Sequence, residues 1–211
     1  MKRIVFQGDS ITDAQRDRKA LPESNTGFGE GYAALIAARV LCDHPGEGYN
    51  FINRGCAGNG ILDVLGRWKG DCLNFSPDVV SLLVGINDVA HEKGPRKNGA
   101  DIEQFRMFLD IMLDSTVKRL PGIRLVLMEP FAFETGMVTA DWLPEVAEQG
   151  AAVKELAARY DAVFIPCQQI LDEAACRAGD KTLILYDGVH PTLMGHQVLA
   201  DNWLKYTASL I

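Results

Sequence analysis

Four short segments of this 211-residue chain hold residue types that can divide one reaction between them. Gly8-Asp9-Ser10 ends an apolar run, "NRGCAGNG" (53–60) ends a second, and "GIND" (85–88) ends a third. Near the C-terminus "YDGVHPT" (186–192) sets an acid three residues ahead of a histidine. Attack on an ester needs a nucleophile, a base for its proton, an acid to orient that base, and donors for the developing oxyanion. Ser10 can be the nucleophile, His190 the base and Asp187 the acid. The backbone N–H groups of Ser10 and Gly58 and the side-chain amide of Asn87 can be the donors. The Asp-x-x-His spacing lets the carboxylate reach Nδ1 and leaves Nε2 to face the serine.

Each segment alone has a plainer reading. Ser10 can cap a helix, glycines 55, 58 and 60 can serve turns with positive φ, and Asn87-Asp88 is a common capping pair. Asp187 can be an Asx-turn partner of the histidine loop. It is the conjunction that points to chemistry, because together the residues fill every role with none left over.

The elements around them explain how they could meet. Apolar runs at 3–6, 49–53, 78–84, 123–128 and 162–165 alternate with stretches of helical spacing at 31–42, 61–68, 102–120, 144–160 and 192–211. In the third of these stretches Phe105, Phe108, Leu109, Met112 and Leu113 fall at i, i+3, i+4, i+7 and i+8. The alternation predicts an α/β fold, a three-layer α/β/α sandwich around a five-stranded parallel sheet, in one domain spanning 1–211. Such sheets bind ligands beyond the carboxyl ends of their strands, where the first three segments lie.

Bulk composition excludes other classes. Apolar residues make up 47% and charged residues 23%, ordinary for a soluble globular chain. A net charge of −7 argues against nucleic acid or an anionic membrane as partner. Five cysteines without a CxxC pair fit neither a disulfide framework nor a zinc ribbon, so reduced, mostly buried thiols are expected. The apolar run near the N-terminus is too short for a signal peptide, and a cytoplasmic location is expected.

"GDSIT", "NRGCAG", "GIND" and "DGVHP" resemble, in order and spacing, the four blocks of the SGNH (GDSL-type) hydrolases, over residues 4 to 206. The resemblance implies a flavodoxin-like fold, with Ser10 the nucleophile, Gly58 and Asn87 oxyanion donors, and Asp187 and His190 the remaining triad. "FQGDSITDAQR", "GRW" (66–68), "GINDV" and "DGVHPTLMGHQVLA" look like bacterial intracellular carbohydrate esterases that deacetylate xylo-oligosaccharides. It also implies a possible homo-oligomer, a small-molecule ester as partner, and no cofactor. Two positions depart from the family pattern. Ala57 and Gly60 stand where many relatives carry a serine and a threonine, which leaves the local turn bonds open, and Ile11 replaces a leucine.

The expected activity is that of a serine esterase on short acyl chains, switched off as His190 takes up a proton. Asp9 is expected to shape the turn that presents Ser10, with its use as the orienting acid the alternative. Long connections at 12–31 and 131–144 are expected to wall the pocket. Phe131, Trp142 and Tyr186 are candidate walls, unless they only pack the loops. Arg54 is a candidate substrate contact, unless it bridges to a surface acid; Trp68 is expected to be framework. The rival activities are a lysophospholipase or thioesterase, an arylesterase, and a metal hydrolase built on Asp9, Asp187 and His190.

Overall fold

Five parallel strands make one sheet in this computed structural model, which describes residues 1–21, 24–95 and 97–211. They are β1 (Lys2–Gly8), β2 (Tyr49–Asn53), β3 (Val79–Leu83), β4 (Arg124–Met128) and β5 (Val163–Ile165), in spatial order β2-β1-β3-β4-β5. All five fall on the apolar runs. The central β3 is buried along its whole length, as a strand covered on both faces must be. β1 outruns its apolar stretch by taking in Gln7, which is fully buried. That polar residue is tolerated because its amide donates to the Asp71 carbonyl at 2.5 Å and accepts from Arg67 at 2.8 Å.

Among the described residues eight α-helices surround the sheet: α1 (Ser10–Asp13), α2 (Tyr32–Asp43), α3 (Ile61–Asp71), α4 (Ile86–Lys93), α5 (Ile102–Arg119), α6 (Leu143–Arg159), α7 (Cys167–Ala178) and α8 (Leu193–Tyr206). α2, α7 and α8 pack against one face through Tyr32, Ile36, Leu171, Leu199 and Trp203. α3, α5 and α6 pack against the other through Val64, Trp68, Phe105, Leu109 and Val153. Trp68 is framework, as expected: it is 2% exposed and its indole donates to Thr116 Oγ1 at 2.8 Å. On the opposite face the buried Trp203 indole donates to Ser81 Oγ at 3.0 Å and ties α8 to β3. Helix ends follow local chemistry. Asp101 and Gln104 form a capping box at α5, Pro144 sits in the first turn of α6, and the Thr192 hydroxyl accepts from Gly195 N–H to start α8.

The order β2-β1-β3 creates the point that matters for function. From β1 the chain crosses to β2 through α2 on one face, and from β3 it crosses to β4 through α5 on the other. Crossovers that diverge from neighbouring strands leave a crevice beyond their carboxyl ends. Ser10 follows β1 and Asn87 follows β3, so both open into it.

α1, α4 and α7 lie outside the five helical stretches expected. The thiol expectation is also corrected: Cys72 and Cys167 are buried, but Cys42 and Cys176 are exposed, since they fall on the outward sides of α2 and α7. Among the described residues, no helix is long and apolar enough to cross a membrane.

Candidate active site

The site starts at the end of β1. Asp9 caps the single-turn α1, its Oδ1 accepting the Ile11 N–H at 2.9 Å. Ser10 is thus the first helical residue, where an N–H has no intrahelical acceptor. Its hydroxyl lies 2.9 Å from His190 Nε2. His190 Nδ1 lies 2.7 Å from Asp187 Oδ2. The other oxygen of Asp187 accepts the backbone N–H groups of Val189 at 3.0 Å and His190 at 2.7 Å. One carboxylate therefore builds the turn and orients the ring. Burial pulls the Asp187 carboxyl upward, but the His190 and Val189 hydrogen bonds outweigh it and hold it below its ordinary value. It stays ionised, as an acid that must hold Nδ1–H requires.

The donor side is held by a buried polar web. Gly58 has φ +84 and no neighbour within 4 Å of where a side chain would stand. The Asn87 amide spends one N–H on the Asn59 carbonyl at 3.1 Å and keeps the other. Ala57 N–H donates to Asp13 Oδ2 at 2.9 Å, Gly60 N–H to Asp63 Oδ2 at 3.0 Å, and Ile61 N–H to Asp88 Oδ2 at 3.0 Å. The turn thus replaces the missing hydroxyls of positions 57 and 60 with carboxylates from other elements. Gly60 has no room for a side chain, because a Cβ would stand 2.7 Å from Asp88 Oδ1.

Two residues outside the sequence assignment hold this web together. Arg67 donates to Asn59 Oδ1 at 2.6 Å, to the Arg54 carbonyl at 2.8 Å and to the Gly8 carbonyl at 2.9 Å. It ties the glycine turn to the strand that carries Ser10. Asp13, 4% exposed, holds Ala57 and pairs with Arg18. The available signal was positional: Asp13 lies one turn after Ser10, and Arg67 two turns into the helix that the glycine segment opens.

Asp9 is fully buried, and its Oδ2 has no partner among the described residues. Burial raises its pKa to about 7, against the Ile11 N–H and the nearby His190, which lower it. The acid bonded to His190 is Asp187; Asp9 shapes the turn. Among the described residues, no three His, Cys, Asp or Glu side chains gather as a metal site.

Ser10 and His190 open on a cavity of about 890 Å³, walled by Gln15, Arg16, Arg18, Glu30, Tyr186 and Leu193. The connection after Ser10 lines it, as expected. Tyr186 is 60% exposed and stacks on the His190 ring at 5.9 Å and 20°. The other wall candidates are placed elsewhere. Phe131 is fully buried and Trp142 is 8% exposed, both within the core. Aromatic surface in a long polar connection gains more from the core than from water, so these rings anchor the loop. Arg54 is not on the cavity either: it pairs with Asp71 and covers the Phe75 ring at 5.8 Å.

The family model described as "GDSL-like Lipase/Acylhydrolase family" matches residues 6–198. An acetylxylan esterase from Geobacillus stearothermophilus is 29% identical over 97% of this chain and 93% of its own length. The crystal structure of Axe2, an acetylxylan esterase from Geobacillus stearothermophilus, superposes with a TM-score of 0.87 at 28% identity, over 97% of this chain and 93% of that one. A putative GDSL-like lipase from Parabacteroides merdae superposes with a TM-score of 0.92 at 34% identity, over 98% and 95% of the two chains.

Proposed function

Given a chain that belongs to the GDSL-like lipase/acylhydrolase family and is a carboxylic ester hydrolase, we propose a serine esterase that removes acetyl groups from xylo-oligosaccharides or related sugars. The observation that carries the reading is the Ser10 Oγ–His190 Nε2 contact of 2.9 Å, with Asp187 behind the same ring at 2.7 Å. His190 Nε2 takes the Ser10 proton as Oγ bonds to the acyl carbon. The carbonyl oxygen becomes an oxyanion held by Ser10 N–H, Gly58 N–H and the free N–H of Asn87. As the carbon–alkoxy bond breaks, His190 returns the proton to the departing alcohol. Water then gives a proton to His190 and its oxygen to the acyl carbon, and release of the acid restores the serine.

Two features support a sugar as the alcohol. The lining of the cavity joins apolar surface, from Tyr186 and Leu193, to the polar groups of Gln15, Arg16, Arg18 and Glu30. A pyranose has the same two characters, flat C–H faces and a rim of hydroxyls. The acetylxylan esterase from Geobacillus stearothermophilus points the same way.

The test is a panel of acetylated xylo-oligosaccharides, an aryl acetate, an octanoyl ester and an acyl-CoA, run on wild type and Ser10→Ala. Acetyl esters are expected to lead, with turnover falling by ~10⁴ or more in the variant. Undiminished activity in Ser10→Ala overturns the acyl-enzyme. Faster turnover of the octanoyl ester or the acyl-CoA overturns the acetyl reading in favour of a lysophospholipase or thioesterase.

A further inference from the structure

Among the described residues, one cation of the cavity makes no ion pair. Arg16 is only 9% exposed, yet it lines the same cavity as Ser10. Its Nε donates to the Gly55 carbonyl at 2.8 Å. Among the described residues, no carboxylate lies within 4 Å of its guanidinium, and its two terminal nitrogens make no hydrogen bond. The other arginine on the wall differs: Arg18 is paired with Asp13. A buried guanidinium normally spends its fork on a carboxylate or on carbonyls, because desolvating it alone is costly. Acids stand nearby, Asp13 and Glu30 on the same wall, but among the described residues neither closes an ion pair with Arg16.

We infer that Arg16 forms a subsite for a carboxylate on the alcohol part of the substrate, so that acetylated sugars bearing a uronic acid are preferred over neutral ones. The inference rests on the sugar-esterase reading above and narrows it. The Nε bond to Gly55 fixes the guanidinium plane and presents the two terminal nitrogens together, the geometry that grips a carboxylate in bidentate fashion. The surroundings select a single negative charge. Asp13 already neutralises Arg18, and the cavity wall also carries Glu30, so a dianionic phosphate meets more repulsion than a carboxylate does. Burial first, and the Arg54 charge next, pull the Arg16 guanidinium below its usual value, so an incoming anion relieves an unfavourable cation.

The experiment compares two matched substrates, the methyl glycosides of acetylated glucuronic acid and of glucose acetylated at the same hydroxyl. Wild type is expected to favour the acid about tenfold or more in kcat/KM, with the preference falling as salt rises. Arg16→Gln is expected to bring the ratio to near one, and Arg16→Lys, a charge without the fork, to restore it only in part. Equal turnover of the two substrates by wild type overturns the subsite, and does so even if Arg16→Gln fails to fold. A variant that loses activity equally on both also overturns it, leaving Arg16 as a brace for Gly55. Turnover of an aryl acetate but of neither sugar removes the sugar reading and the subsite while leaving the serine mechanism intact. Loss of the aryl acetate reaction in Ser10→Ala tests that mechanism separately.

Discussion

Two long connections, 12–31 and 131–144, leave the same edge of the sheet, and they do opposite work. The first stays polar and faces the cavity with Gln15, Arg16, Arg18 and Glu30. Ala14 and Gln15, at φ 40 and 62, hold a conformation that residues with side chains rarely adopt. The second buries Phe131, Phe133, Val138 and Trp142 and meets the acid–base loop through backbone hydrogen bonds, with the Val138 side chain against Gly188. Phe133 N–H donates to the Gly188 carbonyl at 2.9 Å and Met137 N–H to the Asp187 carbonyl at 3.0 Å. Gly188 must be glycine for this contact: its φ is +92, and a Cβ would stand 2.3 Å from the Thr135 carbonyl. One connection lines the cavity, the other braces the acid–base loop. The lesson is that a long loop at a site edge declares its role by where its apolar residues go.

If the second connection exists to place Asp187, that carboxylate must be worth the bracing. Asp187→Asn keeps the shape but can no longer hold Nδ1–H as an anion, and kcat is expected to fall about 10⁴-fold with substrate affinity little changed. A loss below tenfold would leave the brace without a catalytic purpose. The next effect is on stability. Phe131→Ala empties a fully buried ring site and is expected to cost about 3–5 kcal/mol in denaturant unfolding. The KM of the remaining folded enzyme should stay within about threefold of wild type. A large change in KM at modest cost in stability would return Phe131 to the pocket wall.

The limits of the sequence are physical and fall in the same places. The strands were legible because a doubly covered parallel sheet demands continuous apolar runs. The candidate residues were legible because Ser10, Gly58 and Asn87 follow strand ends, and because Asp187 and His190 add an acid three residues ahead of a histidine, types few other jobs require together. α7 carries Cys167, Ile170, Leu171 and Ala174 at helical spacing, a readable pattern masked by its many polar residues. The Arg67 and Asp13 web was not legible, since nothing in a sequence says where a long polar side chain will be satisfied. The aromatics of 131–144 misled for a related reason: a flat ring suits a sugar and a core equally well, and only packing decides between them.

Acid should loosen the two connections unequally. His196 lies beneath the end of the first, its Nδ1 accepting the Tyr32 N–H at 3.2 Å and its ring against Gly31. Burial first, and the neighbouring His190 next, lower its pKa from 6.5 to about 4. Between those values the unfolded chain binds a proton that the folded chain refuses. The stability His196 contributes is therefore complete above pH 6.5 and is lost as pH falls toward 4, about 3 kcal/mol in all. Unfolding measured from pH 7 to 4 should show this acid limb in wild type and a shallower one in His196→Gln. Hydrogen exchange should rise in acid around Tyr32 before it rises at Phe133. Equal loosening at both would mean that the two connections are not independently held.

The smallest effect divides the three aromatics most sharply. Tyr186 alone reached the cavity, and it did so because it precedes Asp187 on the loop that the second connection braces, not on that connection itself. Its ring lies against His190 with most of its surface open, so it can lend a face to a sugar without being needed for the chemistry. A stacking contact of this kind contributes about 1 kcal/mol. Tyr186→Ala is accordingly expected to raise KM for an acetylated xylo-oligosaccharide about fivefold and to leave unfolding almost unchanged, while Tyr186→Phe stays near wild type. A fall in kcat with KM unmoved would assign the ring to holding His190 in place, and the cavity would then have no aromatic wall.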